Sequence, residues 1–331
     1  MDLKPVSYLC GAGHAPVDMV AAVDDAYLAQ HGLRKGSVVQ IAYDQVQTLI
    51  ATLPSVAEIP GGSVGNTIAC HATLGGATGF MGRLLPDRVG LLSIDEMASR
   101  DIAFNRPDPA IVHDAGTSLV FCLTTPDAER SFASYSGGGN VFAPDDIAQD
   151  LLAATDYAVF DGFTLARPET VDGYLEVARR IRAQGGQSGL IIGAVGMLID
   201  FPDRMEAVMN AVDGLFLNET EAAHILGLED PAAAAVKLAS HYALGVVTHG
   251  ARGAYVFKDG EVAYTPSVKP PASVVDTCGA GDNFVGGFLY GLRHGYDLKD
   301  AGHIGHICAA DVITRFGARL PLDFVLPPLH H

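Results

Sequence analysis

Three small residues and a carboxylate, Gly279-Ala280-Gly281-Asp282, stand together inside the stretch DTCGAGDNFVGGF at 276–288. Val274 and Val275 just before it read as the end of a strand. Phe284, Phe288 and Leu292 recur at i, i+4, i+8 with Val285 and Leu289 beside them, which predicts a helix with a buried stripe. The three small residues then fall in its first turn, where backbone N–H groups lack a partner within the helix. An anion can approach them closely, and the helix dipole favours negative charge there. Asp282 projects from the same turn. Kept ionised by the dipole, it can accept a proton or hydrogen bond from an incoming hydroxyl. An anion hole beside such an acceptor is what phosphoryl transfer to an alcohol requires. A capping Asp in a Gly-rich turn explains the motif equally well when it stands alone.

Other stretches supply matching parts. EIPGGSVGNTIACHATLGG places Gly61, Gly62 and Gly65 ahead of a helix with Asn66 in its first turn. Asn66 offers a donor and an acceptor to a polyol, and the glycines allow close backbone approach. FLNETEA places Asn218 and Glu221 at i, i+3 after a strand, oxygen ligands suited to a hydrated Mg²⁺; a capping Asn with a solvated Glu is the plain alternative. VVTHGARGAYVF sets Thr248, Gly250 and Gly253 after another strand as a nucleotide-phosphate turn.

Positioning these groups requires a regular scaffold. From about residue 150, apolar runs (YAVFDGF, GLIIGAV, GLFLNE, LGVVTHG) alternate with helical patterns over 169–184, 201–210, 219–226 and 231–241. Strands apolar on both sides, alternating with helices, predict a parallel sheet covered on both faces, with ligands at the C-terminal strand ends. Two segments break the rhythm: 14–59, with β-type runs such as GSVVQIAY, and 107–135, where GTSLVFCLT and ERSFASY flank TPDA as a hairpin. A lid and a structural edge sheet fit these inserts about equally.

The chain has 331 residues, 49% hydrophobic, with a net charge of −17. That charge argues against nucleic acid as a partner and means that a phosphate site must rely on local donors. Cys10, Cys70, Cys122, Cys278 and Cys308 are odd in number and widely spaced, which points to a reducing compartment without zinc; Cys278 reads as a small space-filling residue. No apolar run reaches membrane-span length and the N-terminus lacks signal-peptide regions, so a cytoplasmic protein without a membrane partner is expected. His330 and His331 are set aside as a tag remnant. GAGHAP from Gly11 imitates a dinucleotide fingerprint, but Pro16 stands where the third Gly or Ala belongs. A P-loop is absent, and His303 and His306 have no third ligand.

Taken together, GGSVGN (61–66), NETE (218–221), THGARG (248–253) and DTCGAGD (276–282), in this order and spacing, resemble the PfkB (ribokinase-like) carbohydrate kinase family over nearly the whole chain. Within the family the chain looks most like the nucleoside kinases of the adenosine and inosine-guanosine type. CGAGHAPVDMVAAVDDAYLAQHGL resembles their first strand and lid entry, ERSFASY their lid strand, and the Gly65–Thr67 GNT both subgroups. The resemblance implies an α/β fold, a single αβα sandwich over 1–331 with a mostly parallel sheet. Its small β lid would come from 14–59 and 107–135, its core from 1–13, 60–106 and 136–331. It implies transfer from ATP to a nucleoside 5′-hydroxyl, with Asp282 as base and Gly279, Ala280 and Gly281 stabilising the transferred group. Arg130 would reach the phosphates. Asp18, Asn66, Gly62 and Ser63 would hold the ribose, and His14 and Phe163 would face the base. Asn218, Thr248, Gly250 and Gly253 would contact ATP, with Asn218 and Glu221 organising Mg²⁺ and a K⁺ site near Asp276. A monomer or homodimer is expected. Adenosine kinases usually have Asn where His14 stands, which leaves the base open. A ribose- or hexose-type sugar kinase and a non-catalytic nucleotide-binding protein are the alternatives.

Overall fold

The structure, a computed structural model, describes residues 7–53, 55–105, 115–127 and 129–329. Residues 107–114 and Ala128 of the second expected insert lie outside the described residues, as do residues 1–6, His330 and His331. In chain order the strands are β1 (Tyr8–Ala12), β2 (Val17–Ala22), β3 (Val38–Gln40), β4 (Ala57–Pro60), β5 (Thr78–Met81), β6 (Ala103–Phe104), β7 (Leu119–Thr124), β8 (Arg130–Tyr135), β9 (Thr155–Asp161), β10 (Gln187–Ile191), β11 (Gly214–Asn218), β12 (Leu244–Thr248), β13 (Ala254–Lys258) and β14 (Glu261–Thr265).

Nine of them form one sheet in the order β14-β13-β12-β11-β10-β9-β1-β5-β6. From β12 to β6 every pairing is parallel; β13 and β14 add an antiparallel edge. The central strands are apolar on both faces because both are covered. Phe160, Leu190, Leu215 and Val247 pack with Tyr174, Val177 and Ile181 of the helix Pro168–Ala183. Their chain neighbours Val159, Phe216 and Val246 pack with Phe284 and Phe288 of the helix Ala280–Arg293. The expected α/β sandwich is therefore present, and the 284–288–292 stripe faces the sheet as its spacing predicted.

The other five strands form a smaller mixed sheet, β3-β8-β7-β2-β4. Its β7 and β8 are the expected antiparallel hairpin, with Thr124 opposite Arg130. The helices Asp25–Gln30 and Tyr43–Thr52 cover one face, where Met19, Phe121, Leu123 and Ala133 meet Leu28, Val46 and Leu49. The first insert is thus partly helical rather than only β-type.

Two readings need correction. Val274 and Val275 do not end a strand: the chain there is irregular, both side chains are exposed, and Val275 N donates to Ile313 O. An apolar pair with no sheet neighbour to pair with has nothing to make it a strand. An unforeseen helix, Val195–Asp200, also precedes the helix Pro202–Met209.

Close packing of β1 on the helix Ser63–Thr73 brings that helix's N-terminus to the sheet edge. It depends on Gly11, where an added Cβ would stand 2.3 Å from Val64 Cγ1 and 3.0 Å from Ile68 Cγ2. Both neighbours are fully buried and stiff at χ1. Gly11→Ala is expected to destabilise the fold by about 1–3 kcal/mol through overpacking, measured by urea unfolding. Gly196→Ala, with open space around it, serves as the control and should cost nothing.

Candidate active site

Two helix N-termini meet at Asp282. Gly279, with φ +73, caps the helix Ala280–Arg293 in a left-handed conformation that only glycine adopts freely. This turn leaves Asp282 in the first helical turn. Its carboxylate reaches the start of the helix Ser63–Thr73, where Ser63 Oγ donates to Oδ1 at 2.6 Å and Asn66 Nδ2 to Oδ2 at 2.9 Å. Thr67 Oγ1 donates to the Asp282 carbonyl at 3.1 Å. Ser63, expected against the sugar, therefore gives its hydroxyl to Asp282. The dipole does not leave this carboxyl at its ordinary value: burial pushes its pKa up to about 6, against the lowering effect of the Ser63 and Asn66 hydrogen bonds.

Gly62, φ +86, turns the chain into the helix where a Cβ would meet Pro16 Cδ at 2.7 Å and His14 O at 2.8 Å. Beside it, the Asp18 carboxylate lies over Gly61, 2.5–2.6 Å from where a Cβ would be. Burial raises the Asp18 pKa to about 7; Arg319 and His14 oppose the rise, while Asp276 and Asp282 add to it. His14 Nδ1 contacts Asp161 Oδ2 at 3.1 Å, and Asp161 Oδ1 accepts the Phe163 N–H at 2.9 Å. Phe163 is exposed, and its ring lies against Gly193. The fully buried Asp161 was missed in the sequence, although a carboxylate at the C-terminal end of a parallel strand is a signal that could have found it.

Arg130 crosses from the smaller sheet to the glycine-rich turn. It pairs with Asp276, donates to Thr277 Oγ1 at 2.8 Å and contacts Cys278 Sγ at 2.8 Å. Asp276 also accepts the Cys278 N–H at 3.0 Å. Asp276, beside the expected K⁺ site, thus pairs with a guanidinium. Cys278 is half-buried and lies beside Cys122 of β7.

The remaining predicted residues lie along the same edge of the large sheet, at β11 and β12, where Asn218 and Thr248 are register partners. Asn218 and Glu221 form a reciprocal capping box, Asn218 N to Glu221 Oε2 and Glu221 N to Asn218 Oδ1, both at 2.9 Å. Glu221 is buried rather than solvated. Burial lifts its pKa to about 7; the Asn218 hydrogen bonds oppose the rise and the Asp282 charge adds to it. Gly250 (φ +54) and Gly253 (φ +106) flank a turn stapled by Arg252 and His249 to Glu219. Among the described residues no group of three or more His, Cys, Asp or Glu is placed to hold a metal directly. The all-oxygen pair at 218 and 221 fits a Mg²⁺ that keeps its waters and is held mainly by phosphates. His306 is buried and its Nε2 contacts Thr265 Oγ1 and O. No helix among the described residues is long and apolar enough to cross a membrane.

Comparison with known proteins agrees with this geometry. The model of the pfkB family carbohydrate kinases matches residues 36–324. Adenosine kinase 2 of Arabidopsis thaliana is 26% identical, the match covering 95% of each chain. The crystal structure of adenosine kinase from Sinorhizobium meliloti superposes with a TM-score of 0.85 at 29% identity, covering 95% of this chain and 96% of that one. A probable sugar kinase from Rhizobium etli CFN 42 gives the same TM-score, 0.85, at 27% identity over 96% of both. With the ribokinase-like sheet, the glycine-rich helix start and the held carboxylate in place, the chain belongs to the pfkB family of carbohydrate kinases, as an ATP-dependent phosphotransferase acting on a nucleoside or sugar hydroxyl.

Proposed function

We propose that this kinase transfers the γ-phosphoryl group of ATP to the 5′-hydroxyl of a purine ribonucleoside such as adenosine, inosine or guanosine. The observation that carries the reading is the Asp282 carboxylate, held on both oxygens at a glycine-rich helix start and sharing its surroundings with Asp18. Each carboxylate oxygen has two acceptor sites, so the bonds from Ser63 and Asn66 leave room for the substrate hydroxyl. Asp282 takes the hydroxyl proton as the alcohol oxygen bonds to the γ-phosphorus. The bond from that phosphorus to the β–γ bridging oxygen breaks, and ADP leaves. The first-turn N–H groups at 279–281 face the charge on the transferred group.

Asp18, an acceptor-only group when ionised, suits two adjacent hydroxyls such as the ribose 2′ and 3′ pair. His14, fixed by Asp161, and the exposed face of Phe163 offer a polar edge and a stacking surface for the base. The smaller sheet acts as a lid through Arg130, whose release from Asp276 and Thr277 would free its charge for the phosphates. Thr248, Gly250 and Gly253 serve ATP. Asn218 and Glu221 would hold Mg²⁺ through water, where it neutralises phosphate charge. The single-domain organisation with this lid is part of the same proposal. A sugar kinase is the second reading, favoured by the equally close Rhizobium etli structure.

Asp282→Asn is expected to lower kcat by roughly 10²–10⁴-fold, the range for a positioned base, in a coupled ADP-release assay; a variant with most of its turnover would remove Asp282 from the mechanism. The pH dependence has a definite sign. The folded pKa, about 6, lies above the unfolded value, so ionising Asp282 costs stability as pH rises through that range. Activity should fall below about pH 6, whereas Asp282→Asn should raise Tm at pH 8 and leave it unchanged at pH 4.

The acceptor is decided by competition among adenosine, inosine, guanosine, their 2′-deoxy forms, ribose and fructose 6-phosphate. A missing 2′-hydroxyl leaves one side of Asp18 unpaired at a cost of about 1–3 kcal/mol. Ribonucleosides should therefore exceed deoxynucleosides by roughly 5- to 150-fold in kcat/KM. A free sugar or sugar phosphate that outpaces every nucleoside would replace this reading with the second one.

A further inference from the structure

Arg319 belongs to none of the motifs, yet it lies beneath the acceptor half of the site. It is buried in the segment GARL at 317–320, near the C-terminal end of the chain. Its guanidinium divides its donors among three partners: Nη2 to Gly61 O at 2.8 Å, Nε to Asn66 Oδ1 at 3.2 Å, and Nη1 to Glu96. Glu96 is shared with Arg100, whose Nη2 in turn donates to Leu320 O at 2.8 Å. Gly65 makes the room, since a Cβ there would stand 2.8 Å from Arg319 Nη2. The same segment props the catalytic helix, because Asn283 Nδ2 donates to Ala318 O at 2.8 Å.

This arrangement has a chemical consequence. An amide has one accepting and one donating end. With Oδ1 engaged by Arg319, the Asn66 amide must present Nδ2 to Asp282. A flipped amide would set its NH₂ against the guanidinium and its oxygen against the carboxylate. The same group fixes the carbonyl of Gly61, the residue over which the Asp18 carboxylate lies. The charge reaches further: Arg319 opposes the effect of burial on both Asp18 and Asp282. The other charged groups acting on these carboxylates are His14, Asp161, Asp276, Glu221 (through its interaction with Asp282) and each other; Glu96 and Arg100 face Arg319 from the helix Gly90–Ser99 and its C-cap.

We propose that Arg319 is a positioning residue for the acceptor hydroxyl: its fork sets the Asn66 amide and the Gly61 carbonyl, and its charge faces Asp18 and Asp282. The inference rests on the kinase reading above for its role in turnover, but its electrostatic part is measurable without substrate. Three variants separate the parts. Arg319→Lys keeps the charge and loses the fork; Arg319→Gln removes the charge; Arg319→Gln with Glu96→Gln removes the ion pair as a unit, in case the single change does not fold.

Carboxyl-carbon NMR of aspartate-labelled protein reads the Asp282 titration, assigned by its loss in Asp282→Asn, and pH–rate profiles are recorded on the same samples. In Arg319→Gln the Asp282 midpoint should move upward by roughly half a pH unit or more, by less in the double variant, which also removes the Glu96 charge, and the acid limb of kcat/KM should follow. Arg319→Lys should keep the midpoint while kcat/KM for the acceptor falls roughly 10- to 100-fold, with KM for ATP unchanged. An unmoved midpoint in a folded Gln variant overturns the electrostatic role. Unchanged acceptor kinetics in Arg319→Lys overturns the fork. A wild-type protein that phosphorylates no nucleoside or sugar would defeat the kinase reading, while the NMR titration would still decide the placement of Arg319.

Discussion

The site depends on keeping one carboxylate, Asp282, able to ionise where burial has taken much of its water away. A buried carboxylate without donors is driven to neutrality, and a neutral Asp282 could not take a proton. Ser63 and Asn66 supply the donors, and both come from another helix more than two hundred residues away in the chain. That requirement fixes much else. The helix Ser63–Thr73 must begin at the sheet edge, so the chain turns through Gly62 at positive φ under Pro16 and His14. The helix Ala280–Arg293 must begin facing it, so the chain turns through Gly279 against Ala318. The large parallel sheet, with its strand ends along one edge, is the frame that lets two such turns face each other.

Charge follows the same logic. The protein is strongly acidic overall, and its site gathers Asp18, Asp161, Asp276, Asp282 and Glu221. An anionic co-substrate gains nothing from such a field. Two local groups of the opposite polarity stand beside these carboxylates: the start of the helix Ala280–Arg293, and Arg130, which the structure holds on Asp276 and Thr277. Holding the guanidinium on a carboxylate keeps a cation at the site without leaving it or its partner unpaired.

Legibility in the sequence tracked how local the constraint was. The strands from β9 to β12 and the helices between them could be read because apolar runs and 3.6-residue spacing are written in consecutive residues. The glycine-rich turns could be read because a close approach or a positive φ leaves few choices of residue. The i, i+3 spacing of Asn218 and Glu221 was visible, but a capping box and an oxygen-ligand pair share that spacing, and only the structure shows the reciprocal bonds. Val274 and Val275 misled because strand formation needs a neighbour, which no local pattern reports. Arg319 was invisible for the same reason, and Asp161 showed only its strand-end position: each acts through partners brought near by the closed fold, Gly61, Asn66 and Glu96 in one case and His14 in the other.

The smaller sheet shows how stability and chemistry can be separated within one element. Strand side chains alternate between faces, and paired positions share a face. Register therefore places Asp18 beside Val120, Val20 beside Cys122, and Thr124 beside Arg130, all on one face. The other face carries Val17, Met19, Ala21, Phe121, Leu123 and Ala133, buried against the two helices of the first insert. The apolar face gives the sheet a core of its own. The face that carries Asp18 and Arg130 touches the rest of the molecule through groups that can exchange partners, Asp18 over Gly61 and Arg130 on the Asp276 loop. Hydrogen bonds and ion pairs at a boundary can be remade with water or a ligand, whereas a buried apolar cluster cannot open without loss. The packing of the smaller sheet is therefore separate from the contacts that Asp18 and Arg130 make with the glycine-rich turns.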